Sequence, residues 1–131
     1  MVANKPSMTR PTVYQFNHGD FVITNILEGF LLREDLHPVT STNATAVEVE
    51  AVATRNHLPF PNFEHQFVPT LVDTGEKLIA FDPGFGDKSP NPNAGRYNER
   101  LANAGYDRND VDIVVITHCH PDHIADLTHG D

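Results

Sequence analysis

The chain has a single cysteine, Cys119, so no disulfide can form within it. It is also short of basic residues: nine lysines and arginines stand against eighteen acidic residues, a formal net charge of −9. A protein that tracks phosphates needs a basic stripe, and one that docks on an anionic membrane needs a basic patch. This composition argues against nucleic acid and against a membrane as partners. No apolar run approaches the roughly 18 residues of a membrane span. The stretch from Met1 to Pro11 lacks the apolar centre of a secretory signal, so the cytoplasm is the expected compartment, with periplasm or export left open. Hydrophobic residues at 39% and charged residues at 21% suit a folded globular protein, and 131 residues allow one domain.

Residues 1–11, polar and containing proline, read as a loose arm, and residues 12–131 as part of one domain. Thr12–Asn17 and Phe21–Leu27 are β-rich runs around the turn-forming His18-Gly19-Asp20, which predicts a hairpin. Arg33–Pro38 reads as loop or a short helical turn. Ala44–Asn56 has helical composition, although Val47, Val49 and Val52 fit neither period. His57–Phe63, with Pro59 and Pro61, cannot be regular structure. Gln66–Val72 and Lys77–Phe81 read as strands joined by the turn Asp73-Thr74-Gly75-Glu76, and Asp82-Pro83-Gly84 ends the second of them. Gly95–Ala104 reads as a helix with Tyr97, Leu101 and Ala104 on one face and Gly105 beyond its end. Asp112–Ile116 is apolar on both faces, the pattern of a strand buried within a layered α/β structure.

Directly after that run comes Thr117-His118-Cys119-His120-Pro121-Asp122-His123. Three imidazoles and a carboxylate within six residues are dense in groups that ligate zinc or iron. A tight loop leaving a strand can aim His118 and His120 at one metal, and Asp122 and His123 at a second. Pro121 could open a helix, since a first turn does not need its missing N–H. Four fixed positions match by chance with a probability on the order of 10⁻⁶ per start point. The bland alternative, a polar loop of solvated histidines, gives way because the strand that the motif requires is also present.

The sequence His-x-His-x-Asp-His after an apolar strand resembles the signature of the metallo-β-lactamase superfamily. The strand ending in Asp82-Pro83-Gly84 resembles that family's strand ending in Asp-Thr-Gly or Asp-Ser-Gly, whose aspartate supports the metal loop by hydrogen bonds. Asp73-Thr74-Gly75 is closer by letters, but it sits in a hairpin turn and is set aside. Residues 12–29, with Gly19-Asp20 and Glu28-Gly29, are similar to the branch containing methyl parathion hydrolase and the N-acyl-homoserine lactonases. One departure stands out: the family commonly has two glycines after the Asp-His-Ile stretch, where this chain has Ala125 and Asp126.

The resemblance implies an α/β fold, the N-terminal half of an αβ/βα sandwich. It implies two divalent metals, zinc first, with iron, manganese or cobalt as alternatives. His118 and His120 would serve one ion and Asp122 and His123 the other. Asp122 would also orient the nucleophile, and Asp82 would support the loop. A hydroxide shared by the metals would attack a small-molecule ester, lactone or phosphotriester. An iron-containing oxidoreductase of the same fold and a non-catalytic fragment or subunit are the competing readings.

The family's later ligands have no counterpart, since only His129 and Asp131 follow as ligand types outside the motif's immediate helix. The expectation is an N-terminal fragment, inactive alone, that needs a complementary C-terminal half or homo-oligomerisation. Leaving an apolar sheet face of roughly 1,000 Å² in water would forfeit about 25 kcal/mol. Cys119, between two ligands but alternating away from them, is expected to be a packed thiol. His18 and His37 read as surface residues, and His57 and His65 as candidates for a pocket rim. Phe60, Phe63 and Phe85 are expected in the core before a substrate pocket.

Overall fold

The computed structural model describes residues 10–128, so most of the expected N-terminal arm, His129 and Asp131 lie outside the described residues. The elements run β1 (Val13–His18), β2 (Phe21–Ile26), β3 (Gly29–Arg33), α1 (Ala46–Arg55), β4 (Phe63–Phe67), β5 (Thr70–Asp73), β6 (Leu78–Phe81), α2 (Tyr97–Asn103), β7 (Ile113–Val115) and α3 (Pro121–Ile124). One sheet has the order β1-β2-β5-β6-β7, and β3 pairs with β4 in a second. The hairpins at His18–Phe21 and Asp73–Leu78 form as the turn chemistry predicts.

The strand expected over Gln66–Val72 is instead two strands in two sheets. Antiparallel pairing carries on through the break: Asn25 faces Thr70 on one side, and Gly29 faces Phe67 on the other. Between those pairs, Ile26, Leu27 and Glu28 oppose only Val68 and Pro69. The ladder is kept by Ile26 N donating to Pro69 O and Glu28 N to Phe67 O, both at 2.9 Å. An extra residue on one strand bends the ladder and changes which side chains face inward. Here it turns Glu28 into full burial, at 0% exposure. It also creates β3, which the sequence shows no alternation to predict.

From β6 the chain crosses through α2 to β7, which pairs parallel to β6 with Ile79 opposite Ile113 and Phe81 opposite Val115. Tyr97 and Leu101 of α2 pack with Ile26, Leu71, Leu78 and Ala80 to form the main core, whereas Ala104, expected on the same face, is half-buried and not part of that cluster. Gly105, at φ +92°, supplies the left-handed residue past the helix end. Replacing Leu101, 1% exposed, by alanine is expected to lower unfolding free energy by about 2–5 kcal/mol, read from a shift in urea midpoint.

The helix expected over 44–56 is α1, started by a capping box in which Glu48 N donates to Thr45 Oγ1 and Thr45 N to Glu48 Oε2. It buries Val49 and Ala53 against Leu36, with Phe60 and Phe63 packed on them. Both phenylalanines serve the core, as expected.

The expectation of a buried final strand does not hold. Ile113, Val114 and Val115 are 44%, 43% and 36% exposed, because among the described residues β7 is the last strand of the sheet and pairs only with β6. Alternation makes a second apolar face opposite α2. Phe16, Ile23, Val72, Ile79 and Ile113 line up across the sheet in register. Phe81 and Val115 follow in a neighbouring row, and all seven are half-buried or exposed.

Candidate metal centre

Because β6 and β7 run parallel, the loops that follow them leave the sheet at the same end. Asp82 N donates to Val115 O at 3.0 Å, extending the ladder by one bond and bringing the aspartate beneath the second loop. Asp82 takes up φ +49°, a left-handed conformation that aspartate tolerates better than most residues. Its carboxylate accepts two hydrogen bonds, Thr117 N to Oδ1 at 2.8 Å and Thr117 Oγ1 to Oδ2 at 2.6 Å, and His123 Nδ1 lies 2.9 Å from Oδ2 as an ion-pair contact. Burial on its own would raise its pKa, but the Thr117 hydroxyl and amide together with His123 outweigh that and hold it below the usual value. The other candidate, Asp73-Thr74-Gly75, is the β5–β6 turn, with Asp73 Oδ1 accepting from Gly75 N.

The motif residues gather over Asp82. His120 is the N-cap of α3, and Pro121 occupies the first turn, as the sequence predicts. His118 Nε2 lies 2.9 Å from His120 Nδ1. His123 Nε2 lies 3.1 Å from Asp122 Oδ2. The His118 and His123 rings are 3.9 Å apart between centroids, which brings the two pairs together. Cys119 is a correction: the thiol is exposed, not packed. Its neighbours His118 and His120 are exposed as well, so this part of the loop stands off the sheet with nothing described to cover the thiol.

These positions fit a divalent cation by their chemistry. The Asp82 carboxylate beside Nδ1 favours the tautomer of His123 with its proton on Nδ1, in which Nε2 is a lone-pair donor 3.1 Å from Asp122 Oδ2. Two acceptors 3.1 Å apart repel unless a proton or a metal lies between them. Ligand atoms held tetrahedrally by zinc at its usual bond lengths are about 3.3 Å apart, close to both observed pairs. Among the described residues no three His, Cys, Asp or Glu side chains surround a single point, so these residues present two donor pairs rather than a closed cage.

Beside the Asp122–His123 pair lies a cavity of about 220 Å³, whose walls include His65, Phe67, Phe81, Asp82, Asp122 and His123. His65, held by Arg33 Nε at 3.2 Å, is therefore at the rim. His57 does not line this cavity; it sits exposed beyond α1 at φ +57°. Phe85 packs edge-on against Phe67 at 5.3 Å. His18 is exposed and His37 half-buried in a loop. The sequence assigns no site role to Glu28 or to the buried Asp126; its signals are the Glu28-Gly29 pair of the family resemblance and an aspartate standing where glycine is usual.

A family model described as the Metallo-beta-lactamase superfamily matches residues 68–129. Among solved structures the chain is similar to AidC, a dizinc quorum-quenching lactonase in complex with a product. The identity is 24% and the TM-score 0.77, over 86% of this chain and 38% of that one. It is similar to the hydrolase AbOPH of the beta lactamase superfamily, at 24% identity and TM-score 0.76, over 88% and 39% of the two chains. A probable metal-dependent hydrolase from Staphylococcus aureus gives 20% and 0.67, over 86% and 43%. The chain thus spans about two fifths of the length of these solved chains. No curated protein matches the sequence.

Proposed function

We propose, from a chain whose residues 68–129 carry the sequence of the metallo-β-lactamase superfamily in that superfamily's fold, that it forms one part of a dinuclear metal-dependent hydrolase site. The observation that carries the reading is the pairing of ligand atoms, 2.9 Å between His118 Nε2 and His120 Nδ1 and 3.1 Å between His123 Nε2 and Asp122 Oδ2. His118 and His120 would hold one ion, and Asp122 and His123 the other. Bound there, the ions would supply Lewis acidity and water activated near neutral pH. The chain's own residues do the rest. Asp82 keeps the proton of His123 on Nδ1 and leaves Nε2 free. Asp122, on the cavity wall, can orient a nucleophile or accept its proton at a carboxylate oxygen. Phe67 and Phe81 give the cavity an apolar side that suits a neutral ester, lactone or phosphotriester.

The described residues offer two ligands per ion, short of the three protein ligands that a catalytic zinc normally has, so completion by further ligands, from a complementary polypeptide or a second copy, belongs to the proposal. The similarity to AidC and AbOPH supports the hydrolase reading. Elemental analysis of the purified chain, followed by assays on a lactone and a phosphotriester, tests it. Uptake of zinc that is lost in the double variant His118→Ala, His120→Ala is the expected result. Wild-type chain that takes up no divalent metal from buffered zinc at pH 7.5 would end the proposal; iron in its place would redirect it to oxygen or sulfur chemistry.

A further inference from the structure

Asp126 occupies the second of the two positions at which the family commonly has glycine, and it is 3% exposed. Its carboxylate lies against Gly86, where a Cβ would come within 1.9 Å of Asp126 Oδ1. Asn98 Nδ2 donates to Oδ1 at 3.2 Å, and Arg108 Nη1 lies 3.7 Å from the same oxygen. The main chain is tied as well: Arg108 Nη2 donates to Asp126 O, and Asp126 N donates to Gly84 O, both at 3.0 Å.

Glu28 approaches the same turn from the other side. It is fully buried at the bulge after β2. Its Oε1 accepts from Gly95 N at 2.8 Å, and its Cγ would lie 2.9 Å from a Cβ on Gly84. Burial raises its pKa, and the nearby charge of Asp126 adds to the rise. Two acids buried close together cost free energy that a purely packing role would avoid. What they enclose is the turn Gly84-Phe85-Gly86, which begins two residues after Asp82.

We propose that Asp126 and Glu28 are positioning residues that clamp the Gly84–Gly86 turn and thereby hold Asp82 under Thr117 and His123. The link to metal rests on the hydrolase reading above, whereas the clamp itself requires no metal. Its immediate consequence falls on the Thr117 amide, which donates to Asp82.

The test is hydrogen–deuterium exchange of the full metal-free chain, comparing the peptide over residues 113–120 with the β1–β2 hairpin. It is paired with a cobalt titration followed by visible absorption. Asp126→Gly should speed exchange over 113–120 about tenfold and leave the hairpin unchanged. It should also weaken cobalt binding about tenfold. Asp126→Asn, which keeps the volume against Gly86, should restore most of both. Unchanged exchange in the loop, or equal acceleration in loop and hairpin, would overturn the clamp and leave Asp126 a merely structural acid. If the wild-type chain binds no cobalt but the loop still loosens selectively, the clamp stands and the hydrolase reading falls. Should Asp126→Gly not fold, Glu28→Asp is the second variant. It retracts the carboxyl by one methylene with charge retained; selective loosening of 113–120 is again expected, and a uniform change again counts against the proposal.

Discussion

Asp82→Asn is expected to lower the affinity of the folded chain for zinc or cobalt by about 10–100-fold while leaving its thermal midpoint within a few degrees. Asparagine keeps the size of the side chain, suits the left-handed backbone at φ +49°, and can still accept from Thr117 N. What changes is the partner of His123. An aspartate oxygen 2.9 Å from Nδ1 favours the tautomer that carries its proton on that nitrogen. An amide NH₂ in its place offers a proton and so favours the tautomer with Nδ1 bare and Nε2 protonated. A protonated Nε2 cannot ligate. Isothermal titration with zinc reads the affinity, and nitrogen-15 shifts of the His123 ring read the tautomer. Wild-type affinity in this variant would show that Asp82 does not set the state of His123.

The second large effect concerns the apolar row opposite α2. Phe16, Ile23, Val72, Ile79, Phe81, Ile113 and Val115 share one face of the five-stranded sheet and are half-buried or exposed. Fully covering a side chain of this size stabilises by about 1.5–3 kcal/mol. Completing the cover over seven that are already partly shielded amounts to something on the order of 5–10 kcal/mol, comparable with the whole net stability of a domain. An apolar area of this extent marks an interface or an aggregation hazard. On its own the chain should therefore bind a hydrophobic dye and sediment as oligomers or aggregates. The double variant Phe16→Lys, Ile113→Lys, altering the two outer strands of the row, should raise the monomer fraction several-fold and reduce dye binding. A wild-type chain that is a monodisperse, dye-free monomer with one cooperative melting transition would rule out the need for a covering partner, be it a complementary polypeptide or a second copy.

The parts of this fold that are legible in the sequence are those governed by local chemistry. His18-Gly19-Asp20 and Asp73-Thr74-Gly75 dictate their turns, and Gly105 its helix end, because few residues tolerate those backbone angles. The motif loop is legible because its residue types are rare together. Helix α1 was ambiguous by its valines, yet Thr45-x-x-Glu48 is a capping box readable without coordinates. The break at Val68-Pro69 and the strand Gly29–Arg33 were not legible. Both depend on three residues facing two across a ladder, a relation between segments about forty residues apart. Burial of Asp112–Ile116 was misread for a related reason: hydrophobic pattern reports what a strand is suited to, whereas exposure depends on which neighbours are present. The roles of Glu28 and Asp126 also lie in contacts between distant segments.

The parallel pairing of β6 with β7 divides the molecule's work by pole. The loops that carry Asp82 and the motif residues leave the sheet at one end, while the hairpins around Gly19 and Gly75 close it at the other. At both of those glycines an added Cβ would meet nothing within 4 Å. That far pole is accordingly the place for a purification tag, a fluorophore or a surface tether, where an attachment changes how the protein is handled without reaching the atoms that would act on substrate.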